Sequence, residues 1–401
     1  MKLTSQKKIK VGTGLILLAY VAFIALGMPD GLLGVGWPSM RADFSVPLDS
    51  LGMLLISGMI GYLTSSFFNG KLLARLGVGK LLVASCALTG AALIGYTLVP
   101  EWWMMVALGV FSGLGAGGID AGLNTYIAAN FGERLMQWLH ASYGIGVTLG
   151  PIIMTTALAA WNSWRIGYAI VGGFQILLAT GFVLTLPMWN QHKSTRTETR
   201  KLTDYKTPFF ETLEQPRVWL SLSLFTLYTG MEIALGTWAY TLLTESRGIA
   251  PEAAGLWAGS YYATFTIGRI LAGLYARKAG VNTIVYASLA GALLGVLLLW
   301  WNPSESVSLA GVALTGFSIA PIFPAMVSGT SARVGKRFAA NTIGMQMAAA
   351  GLGGSLLPGL VGILARRISL EVIPICLLVV VALLFCCFSI SVKNSPVPVG
   401  E

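Results

Sequence analysis

The sequence predicts an all-α membrane protein with twelve transmembrane helices arranged as two pseudo-symmetric six-helix bundles. Three observations support this class. The 401 residues are 55% hydrophobic and only 10% charged, whereas a soluble domain carries about 25% charged residues. Apolar stretches of about 20 residues, enough to cross ~30 Å of hydrocarbon as a helix, follow one another between polar loops. Glycine is abundant, with 49 residues, as in membrane helices that pack closely.

The hydropathy pattern places each helix in turn. The first apolar run continues to about residue 36, too far for a signal-peptide core, and we interpret it as an uncleaved span. The predicted spans are 12–36, 50–71, 80–99, 102–129, 136–160, 165–188, 217–243, 253–276, 282–301, 307–331, 339–364 and 370–391. The polar segment 190–216 is interpreted as a cytoplasmic linker between an N-terminal bundle at 1–189 and a C-terminal bundle at 217–401.

The distribution of basic residues predicts the orientation of these helices. With the N-terminus inside, 20 of the 26 Lys and Arg residues fall on the inner side, and Arg269 lies within a span. The outer side holds only Arg41, Arg165, Arg247, Arg366 and Arg367. This bias predicts a multi-pass protein of the inner or plasma membrane with both termini in the cytoplasm. It also accounts for the net charge of +10 without nucleic acid, so the expected partners are a lipid bilayer and a small solute, and we expect a monomer.

Three acids lie inside apolar stretches, at Asp30, Asp120 and Glu232. An ionisable group is costly in hydrocarbon and usually marks an ion or substrate pathway, so these three are the candidate proton-coupling residues. Asp120 and Asn124 are four residues apart and share one helix face. A carboxylate beside an amide suits sugar hydroxyls, which both donate and accept hydrogen bonds. Interhelical hydrogen bonding is the alternative for this pair.

Further candidates for substrate contact are Tyr228, Glu232 and Trp238 in the seventh span, His140 in the fifth and Gln346 in the eleventh. An aromatic ring beside polar groups suits the apolar face of a pyranose, although core packing is the alternative for each aromatic residue. Arg269 is expected to pair with an intramembrane acid.

The two halves of the chain resemble each other at an offset of 202–203 residues. Asp30 aligns with Glu232, and Ser57 aligns with Ser260. The glycines follow the same offset, with Gly70 and Gly77 matching Gly273 and Gly280. Parallel six-helix repeats are a transporter architecture. The repeat predicts that Asp30 and Glu232 occupy equivalent places in their halves.

Motifs in several spans resemble the major facilitator superfamily. The segment Gly70-Lys-Leu-Leu-Ala-Arg-Leu-Gly77 is similar to its gating signature, with Ala74 where an acid is usual, and assigns a gating role to Gly70, Arg75 and Gly77. Finer motifs resemble the fucose permease-like branch of proton-coupled sugar symporters. These are Asp120-Ala-Gly-Leu-Asn124, His140-Ala-Ser-Tyr-Gly-Ile-Gly146, Tyr228-Thr-Gly-Met-Glu232 with Gly236 and Trp238, Gly268-Arg269, and Gly316-Phe-Ser-Ile-Ala-Pro-Ile-Phe-Pro324.

The resemblance implies roles for these residues. It makes Asp30 the proton site, Asp120 the acid that couples protonation to sugar binding, and Asn124 a hydrogen-bonding partner of the substrate. The expected function is therefore proton-coupled symport of a sugar or sugar-like solute by alternating access. Sodium coupling is one alternative. Outward transport is another, because Gly146-x-x-x-Gly150-Pro151 resembles a signature of exporters. A non-transporting receptor is the third.

The sequence contains no pattern typical of an enzyme. No Gly-Lys phosphate loop is present, so ATP drive is not expected. No nucleophile elbow is found. The four cysteines, Cys86, Cys376, Cys386 and Cys387, lie in apolar segments and have no metal-ligand spacing. We expect no metal and no cofactor, only a coupling ion.

Overall fold

The computed structural model describes residues 3–130, 133–189, 209–275 and 279–395, and those residues form helices without any strand. Eleven helical segments of the described chain are long and apolar enough to cross a membrane. A twelfth, Pro251–Tyr275, has 25 residues of more polar composition. The predicted class, an all-α membrane protein with two six-helix bundles, is confirmed.

The contacts divide the chain into two compact units. The described part of the first unit is 3–46, 53–130 and 133–189, and that of the second is 47–52, 209–275 and 279–395. The helices that begin in the first half are α1 (Leu3–Asp43), a short 3₁₀ turn (Leu48–Ser50), α2 (Leu51–Tyr96), α3 (Trp102–Asn130), α4 (Glu133–Trp161) and α5 (Trp164–Trp189). The first predicted helix therefore extends further at both ends than 12–36.

The second and third predicted spans are joined in α2, which bends at Gly77. This residue has φ 72° and ψ 165°, a backbone conformation that glycine adopts without the clash a Cβ would cause. Residues 71–76 stay helical, so the turn between these spans is shorter than the predicted loop at 71–80.

The second half contains α6 (Phe209–Leu213), α7 (Pro216–Thr241), α8 (Pro251–Tyr275), α9 (Val281–Trp301), α10 (Glu305–Ile319), α11 (Ile322–Ser328), α12 (Thr330–Val334), α13 (Lys336–Arg367) and α14 (Val372–Lys393). A π-helical turn, Leu242–Ser246, extends α7. The predicted span at 307–331 corresponds to Glu305–Ser328, which is long and apolar enough to cross a membrane, but it is divided into α10 and α11. The chain breaks before Pro321, which has no N–H for a helical hydrogen bond. Most of the predicted linker, 190–208, lies outside the described residues.

Glycines set the distance between helices in the first unit. A Cβ at Gly31 of α1 would overlap the carbonyl oxygen of Val147 on α4. A Cβ at Gly146 or Gly150 of α4 would overlap the backbone of α1. The two helices therefore touch backbone to backbone. In the structure, the Gly146-x-x-x-Gly150 motif packs α4 against α1.

One pair of contacts recurs in both units at an offset of 203. A Cβ at Gly113 of α3 would overlap the carbonyl oxygen of Gly58 on α2. In the second unit, a Cβ at Gly316 of α10 would overlap the carbonyl oxygen of Tyr261 on α8. The internal repeat of the sequence is thus repeated in the helix packing of each unit.

Candidate functional site

Asp30 lies in the middle of α1, directly after Pro29, and its side chain is exposed to water-accessible space. Its Oδ2 atom accepts a hydrogen bond of 2.6 Å from the hydroxyl of Tyr143 on α4. The close α1–α4 packing brings these two residues together. Tyr143 was not among the predicted site residues, although it lies inside the quoted His140–Gly146 motif.

Asp120 on α3 accepts hydrogen bonds at both carboxylate oxygens. The amide nitrogen of Asn124 lies 2.8 Å from Oδ1. The hydroxyl of Tyr62, on α2, donates to Oδ2. Two donors satisfy much of the hydrogen-bonding capacity of a carboxylate, and hydrogen bonds to a charged acceptor are the stronger kind. The sequence predicted the Asp120–Asn124 face but not Tyr62.

His140 on α4 joins this group, because its imidazole interacts electrostatically with Asp120. The ring is exposed and meets Phe23 edge to face at 5.9 Å between centroids. The first unit therefore collects two acids, two tyrosines, an amide and an imidazole from four helices. Such groups can exchange protons and can bind the hydroxyls of a polar solute.

A second group lies in the C-terminal unit. Glu232, on α7, is half-buried, and its backbone carbonyl accepts a hydrogen bond of 2.8 Å from the hydroxyl of Tyr261 on α8. Tyr228, one turn before Glu232, is fully buried. Its hydroxyl makes no hydrogen bond of ordinary geometry, although the charges of Glu232 and Arg269 both act on it.

Arg269, on α8, lies near Glu232, because both side chains act on the hydroxyl of Tyr228. The expected pairing of Arg269 with an intramembrane acid stays a prediction. The guanidinium carbon of Arg269 also lies 4.4 Å from the centroid of the Phe265 ring on the same helix. Cation–π attraction of this kind is worth more when the cation is shielded from water. The Nε atom is buried and has no hydrogen-bond partner.

Two predicted substrate residues lie in the packed interior. Trp238 is 0% exposed, and its Nε1 donates to the carbonyl oxygen of Pro358 at 2.9 Å. Gln346 is also 0% exposed. Its Nε2 donates to Ser221 at 2.6 Å and to Thr330 at 3.0 Å. In the described conformation both side chains join helices of the second unit.

The predicted gating residues lie at the bend of α2. Gly77 forms the bend itself, and Arg75 is exposed on the preceding helical turn. Gly70 is helical. Arg75 therefore directly precedes the turn at Gly77, whose backbone conformation glycine adopts without strain.

A further charged cluster lies where the π-helical turn after α7 ends. The guanidinium of Arg247 binds both carboxylate oxygens of Glu371, at 3.0 Å from Nε and 2.8 Å from Nη2. It also donates to Ser308 and to the carbonyl of Leu299. Hydrogen bonding from Arg247 holds the pKa of Glu371 below its ordinary value, against the opposing effect of partial burial. This pair borders a polar cleft of about 530 Å³.

The pattern of spans, repeated packing and intramembrane acids matches one family model. The model of the Major Facilitator Superfamily matches residues 18–242 and 220–401, which together cover most of the chain. The chain belongs to the Major Facilitator Superfamily. It is therefore a multi-pass membrane protein of a transporter family.

Several named proteins are similar to this chain over most of its length. Bypass of stop codon protein 6 of Saccharomyces cerevisiae is 24% identical, over 92% of this chain and 80% of its own. The human sodium-dependent glucose transporter 1 is 25% identical, over 86% and 72%. The glucose/mannose transporter GlcP of Bacillus subtilis is 19% identical, over 87% of each chain.

Solved structures agree on the fold. A bacterial homolog of the human lysosomal transporter Spinster, in an inward-facing and unoccupied conformation, superposes with a TM-score of 0.76. The match covers 96% of this chain and 98% of the other, at 15% identity. At that identity the likeness concerns the fold alone.

Proposed function

We propose that this protein is a secondary active transporter that carries a sugar or sugar-like polar solute together with a proton, by alternating access. The observation that carries the proposal is Asp120, a carboxylate inside a membrane span whose two oxygens accept hydrogen bonds from Tyr62 and Asn124. Intramembrane acids held by polar partners are typical of proton relays and substrate pathways.

Two further points support the sugar and the proton. Asp30 is exposed and has one hydroxyl partner, so its other oxygen is open to water, a proton or a solute hydroxyl. Two of the relatives are named as glucose or glucose/mannose transporters. The motifs that resemble the fucose permease-like branch point to the same class of solute.

Sodium is the second candidate coupling ion, because one relative is named as sodium-dependent. Oxygen ligands from carboxylates suit a hard cation as well as a proton. The two candidates differ in what happens to Asp120, which must bind a proton in one case and a cation in the other.

The decisive experiment uses purified protein in liposomes and labelled D-glucose or D-mannose. An inward proton gradient, an inward sodium gradient and no gradient are compared. The proposal expects accumulation above equilibrium only with the proton gradient, abolished by a protonophore. Accumulation that follows sodium would establish the second candidate.

The matched variants are Asp120→Asn and Glu101→Gln. Asp120→Asn is expected to stop accumulation, because an amide cannot take up a proton. Glu101 is an exposed acid outside the spans, and its replacement is expected to change nothing. A full loss of accumulation in Glu101→Gln, or no loss in Asp120→Asn, would count against the assignment.

We also propose an inner- or plasma-membrane location with cytoplasmic termini, because most of the basic residues fall on the predicted inner side.

A further inference from the structure

A row of polar residues lies along α2, from the level of Asp120 toward the bend at Gly77. Tyr62, Ser66 and Asn69 are spaced at i, i+4 and i+7, so they share one face of the helix. Asn124 and Thr125 on α3 lie along the same contact, since the Nδ2 atom of Asn69 is 3.4 Å from the Thr125 hydroxyl. We call this set, with Asp120 at its inner end, the α2–α3 seam.

Three oxygen atoms of the seam are buried and have no hydrogen-bond partner. They are Oδ1 of Asn69, Oδ1 of Asn124 and Oγ of Ser66. The Ser66 hydroxyl makes no hydrogen bond of ordinary geometry, although it acts on the Tyr62 hydroxyl. Asn69 is only 8% exposed. A buried polar atom that stays unpaired costs about 1–3 kcal/mol. Three along one contact indicate polar partners such as buried water, which typically makes ~3 hydrogen bonds to groups of this kind.

The polar residues of the seam lie on one side of Asp120 along the contact between α2 and α3. On the other side of Asp120, the backbones of α2 and α3 touch. A Cβ at Gly61 would overlap the carbonyl oxygen of Val110, and Gly113 meets Gly58 in the same way. No room for water remains there. Along the first part of α2, at residues 51–69, the unpaired atoms therefore continue from Asp120 toward the Gly70 end.

The distances suit a short file of water. Tyr62 and Asn69 are seven residues apart, about 10 Å along a helix. About three or four waters at hydrogen-bond spacing span that length. Asn69 is the last residue before Gly70, where the first part of α2 reaches the predicted membrane surface.

We propose that water fills the α2–α3 seam and conducts protons between Asp120 and the membrane surface at the Gly70 end of α2. The inference rests on the proposed function, in which Asp120 takes up a proton. A hydronium ion in the seam gives its proton to the phenolic oxygen of Tyr62 while the phenolic proton passes to Oδ2 of Asp120. Tyr62 stays neutral, Asp120 becomes neutral and the hydronium becomes water. Release is the reverse.

Other groups act on the same acid and must be separated from the seam. Asn124 binds Asp120 from its own helix, and His140 acts on it from α4. Asp30, on α1, acts on Tyr62. Replacing Ser66 and Asn69 leaves Asn124, His140 and Asp30 in place but also removes the action of the Ser66 hydroxyl on Tyr62. Asn69→Thr, which keeps Ser66, separates that effect from the water path.

The first test locates the water. X-ray pulses convert bound water to hydroxyl radicals, which modify adjacent side chains, and mass spectrometry reads the modification of Tyr62. Tyr168, 2% exposed in the same unit, is the dry reference. Tyr62 is expected to label well above Tyr168 in the wild type and to approach it in the double variant Ser66→Ala/Asn69→Leu. Labelling of Tyr62 that is unchanged by the double variant overturns the proposal.

The second test measures the proton. After a pH jump, time-resolved infrared spectroscopy follows the carboxyl band assigned to Asp120 by its loss in Asp120→Asn. In the double variant the rate is expected to fall roughly fivefold or more, because the hydrogen-bonded chain is broken, with an unchanged final amplitude. Asn69→Thr replaces the amide by a hydroxyl and so keeps one polar oxygen in the seam. Its rate is expected to lie between those of the wild type and the double variant, and it is the variant to use if the double variant folds poorly.

Ser57→Ala is the matched control on the same helix, because the Ser57 hydroxyl is satisfied by the carbonyl of Leu54. It is expected to leave labelling and rate unchanged. Wild-type protonation rates in both seam variants would overturn the seam and leave the coupling role of Asp120 standing. If the carboxyl band of Asp120 shows no titration, the coupling role is overturned. If Tyr62 is labelled no more than Tyr168 in the wild type, the water-filled seam is rejected.

Discussion

The amide nitrogen of Asn124 lies 2.8 Å from Oδ1 of Asp120, one helical turn away on α3. The two side chains that the sequence pairs for sugar binding are thus already bound to each other. The Oδ1 atom of Asn124 remains without a partner, so it can accept a hydrogen bond from a solute hydroxyl or from water.

Replacement of Asn124 should therefore weaken binding. Asn124→Ala removes one donor to Asp120 and one open acceptor, and an affinity loss of about 1–3 kcal/mol is expected for D-glucose. Calorimetry or tryptophan fluorescence measures it. Thr64→Ala, on an exposed hydroxyl bonded to its own helix, is the control. Equal affinity in Asn124→Ala and wild type would remove Asn124 from the site.

Asp30→Asn should separate coupling from binding. The amide mimics a protonated acid and keeps an acceptor for the Tyr143 hydroxyl. Counterflow of D-glucose in liposomes is expected to persist, while proton-driven accumulation is lost. Tyr143→Phe should keep accumulation and alter its pH dependence, because Asp30 loses its partner. A variant Asp30→Asn that concentrates sugar as wild type does would show that coupling lies elsewhere.

Gln346→Leu should destabilise the second unit. It removes the hydrogen bonds from Nε2 to Ser221 and Thr330 and leaves the Ser221 hydroxyl buried. The expected loss is about 1–3 kcal/mol, seen as a lower Tm in detergent. Met347→Leu, at the exposed neighbouring position, is the control. If Tm holds in Gln346→Leu while sugar affinity falls, the residue belongs to the binding site.

Gly150→Val should be among the most damaging single changes in the first unit. A side chain there overlaps the α1 backbone near Gly31 and Met28, and overpacking typically costs about 1–3 kcal/mol or more. Gly173→Ala has nothing within 4 Å and should be tolerated. Yield and monodispersity in size-exclusion chromatography compare the two. Equal behaviour would mean that α1 and α4 can separate at little cost.

The Arg247–Glu371 pair predicts a pH dependence of stability. The folded-state pKa of Glu371 is lowered, chiefly by the hydrogen bond from Arg247. Its contribution is therefore fully present above the unfolded pKa of about 4.3 and is lost as pH falls through the lower folded value.

The difference in Tm between wild type and Glu371→Gln should accordingly be constant from neutral pH down to about pH 5 and shrink below that. Glu101→Gln, on an exposed acid, is the control. A difference that grows toward acidic pH would contradict the assigned sign.

Hydropathy predicted the spans because each helix must be apolar over about 20 residues to cross the bilayer. It also singled out Asp30, Asp120 and Glu232, since charges stand out against that background. Tyr62 could not be found this way, because a tyrosine in an apolar stretch is ordinary and its bond to Asp120 joins residues 58 positions apart.

Two other differences have local causes. The break before Pro321 carried a signal, since proline cannot continue the hydrogen bonding of a helix. The surroundings of Arg269 gave no signal in the sequence, because the sequence does not show that the Phe265 ring packs against the guanidinium group. The sugar, proton and gating assignments of the site residues remain predictions.

The glycine contacts shared by the two units hold their helices together through backbone atoms. Gly113 meets Gly58 and Gly316 meets Tyr261 at main-chain carbonyls, so these spacings do not depend on the side chains that line the rest of each helix. The polar residues that line each helix can therefore be replaced by residues suited to another solute without changing these helix spacings.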